Sequence, residues 1–217
     1  MKFSEVTIFG GTGLIGKYLL KILTDDPEIN TINFVTRRTV EINNKKVKLQ
    51  VIDFSNKQSI LNSIKNSSIV FSAIGTTQSR VKGDSKKYRE VDFDITFNIA
   101  NACKEKNVGH FSFVSSSGAD FKSNNFYLKL KGEIESSIIK LNLKSLSILR
   151  PSLLLGKRDE RRYGEKIAQV IMPFFSFLMP PNYKPISAFQ VAKAMINISK
   201  NKKPGINIYH YNEIKDN

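Results

Sequence analysis

The sequence predicts an α/β fold in which helices cover both faces of a single, doubly wound parallel sheet. Short apolar runs alternate along the chain with longer segments whose apolar residues recur at helical spacing. Residues 69–74 are apolar at nearly every position, which is typical of a strand buried on both faces. This alternation indicates right-handed βαβ units. We therefore expect one domain over residues 1–217, with a small C-terminal substrate-side region at about 151–190.

The predicted elements follow one another in this alternating order. The first helix is expected to stop before Pro27, because proline has no amide hydrogen with which to continue a helix. We expect strands at residues 6–9, 32–35, 47–52, 69–74, 110–114, 145–149 and 208–211. We expect helices over residues 14–23, 57–64, 85–106, 127–141 and 189–199.

Composition predicts a globular protein of the cytoplasm. The chain is 41% hydrophobic, but no apolar stretch reaches the roughly 18 residues that span a bilayer, and we expect no signal peptide. Cys103 is the only cysteine, which indicates a reducing environment, and its helical setting favours a packed thiol over a nucleophile. His110 and His210 lie far apart with no cysteine partner spacing, so no metal site is predicted.

The net charge of +15 has three interpretations. Most of the basic residues are lysines scattered among Asn and Ile, with no block of five like charges and no aromatic residues interleaved as in RNA-binding proteins. This pattern favours a solvated basic surface. Phosphate-bearing ligands and polyanions are the alternatives, and no specific nucleic-acid partner is expected.

Three glycines, Gly10, Gly13 and Gly16, lie between the first predicted strand and the first predicted helix. A backbone that turns tightly and comes close to a ligand requires residues without a Cβ atom. The free amides and the dipole of the helix start favour an anion, and a dinucleotide pyrophosphate is the expected occupant. The spacing is G-x-x-G-x-x-G, and a tight turn without a ligand is the alternative.

The residues at the carboxyl ends of the other strands are candidate ligand contacts, because ligands of open parallel sheets bind there. Arg37 and Arg38 follow the second strand, where an acidic residue would bind the ribose of NAD; two guanidiniums suit the 2′-phosphate of NADP instead. Solvated surface arginines are the alternative. Asp53, after the third strand, is expected either to accept a hydrogen bond from adenine or to cap a helix. Gly75 and Thr76 are small enough to let a cofactor lie against the backbone after the fourth strand.

Tyr127 and Lys131 are four residues apart and share one face of a predicted helix. An ammonium close to a phenol lowers the pKa of that phenol, so Tyr127 is a candidate for proton transfer near neutral pH. A serine from residues 115–117, at the end of the preceding strand, is expected to hold a carbonyl oxygen. The arrangement suits hydride transfer from a cofactor to a ketone or aldehyde, and an ordinary surface helix is the alternative.

With these motifs the chain resembles the short-chain dehydrogenase/reductase superfamily. The resemblance is to the atypical branch, and in particular to the Tat-interacting-protein family of NADP-binding oxidoreductase-like proteins. It covers nearly the whole chain. The matching segments are GGTGLIG (10–16), VTRR (35–38), GTT (75–77), VD (91–92), HF (110–111), SSSGAD (115–120), SNNFY (123–127), KGE (131–133), LRPSLL (149–154) and RDER (158–161).

The resemblance implies a Rossmann-like fold that binds NADP(H), and less readily NAD(H), at the glycine turn. It implies Ser116, Tyr127 and Lys131 as catalytic residues, with Lys131 also bonding the nicotinamide ribose. Ser115 and Ser117 are neighbours that compete with Ser116 for this role. The predicted cofactor-binding residues are Gly10, Thr12, Gly13, Leu14, Ile15, Gly16, Arg37, Arg38, Asp53, Phe54, Ala73, Ile74, Gly75, Thr76, Lys131, Arg150 and Pro151.

Two functional hypotheses follow. The first is an NADP-dependent oxidoreductase that transfers a hydride between NADPH and a small or lipophilic carbonyl substrate, with Tyr127 as proton donor or acceptor. The second is an NADPH-binding regulatory protein without turnover, because the branch includes members with no established substrate. Asp92 bears on this choice, since extended relatives often carry Asn there and an acid alters the proton relay. A homo-oligomer is compatible with either hypothesis.

The apolar segment at residues 167–180 is interrupted by Pro173 and follows Arg158, Arg161, Arg162 and Tyr163. A lid packed over an apolar pocket is the first interpretation. A surface for self-association or a partner is the second. Contact with a membrane surface, helped by the positive charge, is the third.

Overall fold

One seven-stranded sheet, parallel throughout, organises the computed structural model, which describes residues 4–77, 79–156 and 184–217. A separate parallel pair, β7 (Leu154–Leu155) and β8 (Ile186–Ser187), lies outside this sheet. The strands of the sheet are β1 (Glu5–Phe9), β2 (Thr31–Thr36), β3 (Val47–Val51), β4 (Ile69–Ser72), β5 (His110–Val114), β6 (Ser145–Leu149) and β9 (Gly205–Tyr209).

Helices connect most of these strands. Two of them, α3 (Ser85–Arg89) and α4 (Ile95–Glu105), form one continuous helical run because a π-helical segment, Glu90–Asp94, joins them. The helices are α1 (Leu14–Asp25), α2 (Lys57–Ser63), α3 (Ser85–Arg89), α4 (Ile95–Glu105), α5 (Phe126–Ile139), α6 (Ala188–Lys200) and α7 (Tyr211–Asp216).

The strand order is β3-β2-β1-β4-β5-β6-β9, so the direction of winding reverses between β1 and β4. Phe9 at the end of β1 is level with Val35 of β2 on one side and with Ser72 of β4 on the other. The carboxyl ends of these three strands therefore open into one crevice. A crevice at such a reversal is where ligands bind in doubly wound sheets.

Apolar side chains alternate between two helical layers, one on each face of the sheet. Val6 and Ile8 pack with α1 and α6, whereas Phe9 packs with α2, α4 and α5. This alternation follows from the two-residue period of a strand. Cys103 of α4 is buried in the second layer, where burial raises the pKa of its thiol, as expected of a packed cysteine rather than a nucleophile.

The predicted fold class is confirmed, and the differences are local. The fourth strand ends at Ser72 rather than at residue 74 because its partner β1 ends at Phe9, whose carbonyl oxygen accepts a hydrogen bond from the amide of Ala73 at 2.9 Å. The last strand is shifted to Gly205–Tyr209, because His210 donates its amide to Glu213 Oε2 (2.7 Å) at the start of α7. That helix and the short β7–β8 pair were not predicted.

The predicted substrate-side region is described only at its edges. Residues 167–180, Tyr163 and the arginines that precede this segment lie outside the described residues. The structure therefore does not test the three interpretations of the segment. Among the helices that the structure describes, none combines the length and apolarity needed to cross a bilayer.

Candidate functional site

The glycine turn joins β1 directly to α1. Gly10 has a positive φ of 76°, and the amide of Gly13 donates to its carbonyl oxygen at 3.0 Å. A Cβ atom at Gly16 would overlap that same carbonyl, so α1 can begin only because this position is glycine. The helix start has neither a side-chain cap nor an acidic residue in its first turn. Its amides and dipole are therefore suited to an anion such as a pyrophosphate.

The end of β4 lies against this turn. A Cβ atom on Gly10 would stand 2.6 Å from the carbonyl carbon of Ala73 and 2.7 Å from the amide nitrogen of Ile74. The structure thus brings the glycine turn together with Ala73 and Ile74, two of the predicted residues that follow β4. Within the turn Thr12 is exposed, Leu14 is half-buried and Ile15 is buried in the core.

Arg37 and Arg38 lie beyond β2, and both are exposed. The hydroxyl of Thr36 donates to the carbonyl oxygen of Arg38 at 2.7 Å and thereby folds this short loop back on its strand. Within the described part of the chain no ion pair is seen for either guanidinium. Their exposure fits both the phosphate-binding and the solvated interpretation, so this prediction stays open.

Asp53 is exposed after β3 and accepts hydrogen bonds from Ser55, from the hydroxyl at 2.7 Å and from the amide at 2.9 Å. These bonds, that of the hydroxyl first, lower the pKa of Asp53. The helix-capping alternative for Asp53 is wrong, because Asn56 caps α2 by accepting from the Ser59 amide at 3.1 Å. Phe54 is buried with its ring 5.9 Å from that of Phe9, which is a packing position.

Tyr127 and Lys131 meet on one face of α5. Lys131 is only 5% exposed, and its Nζ lies 5.8 Å from the centre of the half-buried Tyr127 ring. The same Nζ is 2.8 Å from Oδ1 of Asp92, which is 2% exposed. Burial lowers the pKa of the lysine, but Asp92 and Tyr127 outweigh burial and raise it, so Lys131 is an ammonium.

Asp92 also holds the loop that follows β4. Its Oδ2 accepts a hydrogen bond from the amide of Thr76 at 2.7 Å, while Tyr88 donates from its hydroxyl to the carbonyl oxygen of Thr76 at 3.3 Å. Gly75 lies beside this carboxylate, and a Cβ atom there would make an ordinary van der Waals contact of 3.7 Å with Oδ1. The sequence singled out Asp92 as a departure from extended relatives but gave no signal of its pairing with Lys131.

The three serines after β5 differ in their surroundings. Ser115 is buried and donates its hydroxyl to Glu135, and the amide of Ser117 donates to Pro151 at 2.8 Å. Ser116 is half-buried, and its hydroxyl makes a long bond of 3.3 Å to the carbonyl of its own neighbour. A hydroxyl held this loosely can turn to a ligand, which favours Ser116 over Ser115.

Arg150 lies at the end of β6 with its guanidinium on the buried carboxylate of Glu135. Its Nε donates to both carboxylate oxygens, at 3.0 and 3.2 Å, and its Nη2 donates to Oε2. Glu135 therefore ties β6 to Ser115 at the end of β5. The sequence predicts Arg150 as a cofactor contact but does not indicate that it pairs with Glu135, because a buried acid on α5 cannot be distinguished by sequence from an exposed polar helix residue.

Several relatives match the chain over most of its length. "Protein FMP52, mitochondrial" of Candida albicans is 35% identical over 96% of this chain and 90% of its own. "Protein HTATIP2" of Rattus norvegicus is 30% identical over 91% of this chain and 81% of its own.

The cytoplasmic location expected from composition is wrong. The fungal relatives that match the chain, from Candida albicans, Debaryomyces hansenii and Emericella nidulans, are named as mitochondrial proteins. A single free cysteine indicates a reducing environment and does not distinguish one reducing compartment from another.

The solved structure of MoeE5 in complex with UDP-glucuronic acid and NAD shares the fold. Its TM-score with this chain is 0.74 at 16% identity, over 97% of this chain and 80% of MoeE5. A family model described as NAD(P)H-binding matches residues 10–201. The glycine turn, the strand order and these matches together establish that the chain belongs to the NAD(P)H-binding family, on the atypical branch of the short-chain dehydrogenase/reductase superfamily.

Proposed function

We propose that this protein is an NADP-dependent oxidoreductase that reduces the carbonyl group of a small or lipophilic substrate. The observation that carries the proposal is the cluster on α5, where a buried ammonium lies against the Tyr127 ring beside the loop that follows β4. The exposed aromatic rings of Phe121 and Phe126, which precede Tyr127 in the chain, favour a substrate with apolar parts.

The residues fit a nicotinamide dinucleotide. The uncapped start of α1 would hold the pyrophosphate, and Arg37 and Arg38 would hold a 2′-phosphate. When bound, the reduced nicotinamide supplies a hydride to the carbonyl carbon. Tyr127 gives the proton of its hydroxyl to the carbonyl oxygen, so the product is an alcohol. Ser116 donates a hydrogen bond to the same oxygen, and water returns the proton to Tyr127.

The first test is NADPH consumption with a panel of aldehydes and ketones by the wild-type protein and by Tyr127→Phe. Loss of the proton donor is expected to lower kcat by roughly 100-fold or more, since general acid catalysis contributes about that much. NADPH binding, followed by fluorescence, should be unchanged in the variant, because the phenol hydroxyl is not part of the phosphate site. A panel in which the wild type never exceeds Tyr127→Phe would contradict the proposal.

The second test concerns the choice between NADP and NAD. In the double variant Arg37→Ala/Arg38→Ala, the affinity for NADPH is expected to fall roughly 10- to 100-fold while that for NADH changes little, because only NADPH carries the extra phosphate. Titration calorimetry measures both affinities. The control Lys45→Ala/Lys48→Ala also removes two exposed positive charges and should leave the ratio of affinities unchanged. An unaltered ratio in the arginine variant would refute this assignment.

A further inference from the structure

We propose that Glu135 is a positioning residue that holds the serine segment, residues 115–117, against α5 and thereby places Ser116 for catalysis. The inference rests on the proposed function, in which Ser116 donates a hydrogen bond to the carbonyl oxygen of the substrate. It goes further because it gives a role to a buried carboxylate that the proposed reaction does not use. Glu135 acts through Ser115 and does not itself contact the substrate.

Three residues at intervals of four share one face of α5. Tyr127 lies in the first turn, and Lys131 and Glu135 follow, each rotated by about 40° from the one before. Lys131 pairs with Asp92, whose other oxygen accepts a hydrogen bond from the amide of Thr76 after β4. Glu135 contacts the ends of β5 and β6, the next two strands of the sheet. The face of α5 that carries Tyr127 is thereby connected to three neighbouring strand ends.

The Glu135 carboxylate is 2% exposed and binds groups from two strands. It accepts a hydrogen bond from the hydroxyl of Ser115, the first residue after β5. It also accepts from Nε and Nη2 of Arg150, the first residue after β6. A buried carboxylate is stable only with donors of this kind. Both donors lie at the carboxyl ends of parallel strands, where ligands of such sheets bind.

The serine segment is held at both ends, and its middle hydroxyl is held loosely. The amide of Ser115 donates to the carbonyl oxygen of Leu149 at 2.7 Å, and the amide of Ser117 donates to that of Pro151 at 2.8 Å. These two bonds join the segment to the chain after β6, and the hydroxyl of Ser115 joins it to α5. Ser116 lies between these two neighbours, so its backbone is fixed while its hydroxyl, with one long bond of 3.3 Å, can turn to a ligand.

The placement of Ser116 matters because it and Tyr127 are proposed to act on one oxygen atom from different elements. A misplacement of about 1 Å can lower the rate of a reaction by about 100-fold. A second contact joins the same two elements further along the chain, from the amide of Asp120 to the carbonyl oxygen of Leu128 at 3.1 Å. Loss of the bond between Glu135 and the serine segment is therefore expected to shift the segment without releasing it.

The first test is hydrogen exchange at the amide of Ser117, followed by NMR without cofactor or substrate. Ser115→Ala removes the hydroxyl that Glu135 binds and leaves the ion pair of that carboxylate intact. Exchange at Ser117 is expected to become about tenfold faster, because the segment opens more readily once this hydrogen bond is lost. Exchange at Ala73, whose amide donates to the end of β1, should not change. An unchanged rate at Ser117 would overturn the inference.

Ser112→Ala is the matched control. Ser112 is buried in β5, three residues before Ser115, and its hydroxyl has no hydrogen-bond partner in the part of the chain that the structure describes. This variant also deletes a buried hydroxyl from the same stretch of chain. It should leave exchange at Ser117 as in the wild type. Faster exchange at Ser117 in Ser112→Ala as well would show that any small cavity near β5 has this effect, and it would count against Glu135.

Two double variants test the carboxylate itself. Glu135→Met/Arg150→Met and Glu135→Gln/Arg150→Met both remove the two buried charges together, which a protein tolerates better than one unpaired charge. Only glutamine keeps an oxygen that can accept from the hydroxyl of Ser115. Exchange at Ser117 is expected to be fast with methionine and slow with glutamine, and equal rates would contradict the inference. Ser115→Ala still tests the inference if neither double variant folds.

Kinetics test whether the segment is held for the sake of Ser116. With a carbonyl substrate, Ser115→Ala is expected to lower kcat roughly 10-fold and to change KM for NADPH by no more than about twofold, since this hydroxyl is not part of the phosphate site. On a Ser116→Ala background the same substitution should have no further effect, because the group that it positions is gone.

Two kinetic results would refute this role. Equal losses of kcat on the two backgrounds would show that Ser115 acts by another route than Ser116. A larger loss in Ser115→Ala than in Ser116→Ala would show that Ser115 itself contacts the substrate.

Hydrogen exchange does not depend on turnover, so the two proposals can fail separately. Faster exchange at Ser117 in Ser115→Ala, in a protein that reduces no carbonyl, would keep Glu135 as the residue that holds the serine segment and would reject the oxidoreductase. Carbonyl reduction by the wild type, with exchange at Ser117 unchanged in Ser115→Ala, would keep the oxidoreductase and reject the role of Glu135.

Discussion

Gly10 and Gly83 share a backbone conformation but differ in what surrounds them. Their φ angles are +76° and +78°, a region that residues with side chains rarely adopt. A Cβ atom on Gly10 would meet the backbone of Ala73 at 2.6 Å, whereas one on Gly83 would meet nothing within 4 Å. The first glycine is required by both conformation and space, and the second by conformation alone.

This contrast predicts different costs for the same substitution. Gly83→Ala is expected to lower the free energy of unfolding by about 1 kcal/mol, through backbone strain only. Gly10→Ala should cost at least about 2 kcal/mol more, because β1 and the end of β4 must move apart. Urea denaturation of both variants measures the difference. Equal losses in the free energy of unfolding would show that the close approach of Gly10 to Ala73 does not contribute to the cost of the substitution.

Single residues also show where sequence reasoning about the site stops. Tyr127 and Lys131 could be placed together because helical spacing alone determines a shared face. The partners of Asp92 and Arg150 could not be predicted, because each ion pair joins two different elements and produces no periodic pattern in the sequence. The family resemblance suggested that Asp92 matters, and only the three-dimensional structure shows that its partner is Lys131.

At the scale of elements, β5 carries a histidine whose protonation opposes folding. His110 is buried, its Nδ1 lies 2.7 Å from the Ser145 hydroxyl, and that hydroxyl donates to Lys203 at 2.6 Å. Burial, with a smaller effect of the Lys202 charge, lowers the pKa of His110 to about 3. In the unfolded chain His110 has an ordinary pKa of about 6.5 and begins to bind a proton near that pH. In the folded protein the imidazole is still neutral at that pH.

Protonation of His110 should make the free energy of unfolding decrease as the pH falls. Below about pH 6.5 the unfolded state binds one more proton at His110 than the folded state, so the free energy of unfolding should fall by up to about 1.4 kcal/mol per pH unit until about pH 3. Chemical denaturation between about pH 6 and pH 5, where few carboxylates titrate, measures the slope. His110→Asn should remove it and His210→Asn should keep it. If His110→Asn kept the wild-type dependence of the free energy of unfolding on pH, a group other than His110 would be responsible for the acid sensitivity.

Element boundaries were predictable to the extent that a pattern marks them. The ends predicted for β5 and β6 match the observed ones, since in each strand apolar residues alternate with polar ones and a polar residue follows the last apolar one. The π-helical segment within the predicted helix at 85–106 was not foreseen, because one extra residue in a turn hardly alters apolar spacing. Two-residue strands such as β7 and β8 are too short for any period to show.

For the whole molecule, the fold class could be predicted because alternating strands and helices allow few other arrangements. The glycine turn also predicts which end of the sheet carries the ligand site. Cellular location could not be predicted in the same way, since composition and cysteine content indicate a reducing environment but do not identify the compartment. Substrate identity likewise depends on side chains that meet only in the folded protein.

The central place of β1 in the sheet has a consequence for synthesis on the ribosome. Of the seven strands of this sheet it is synthesised first, yet one of its edges pairs with β2 and the other with β4, which ends at Ser72. Until that residue has left the exit tunnel, a nascent chain carries an apolar strand with an unpaired edge. Such an edge can capture other polypeptides, so this interval is when a holding chaperone has most to protect.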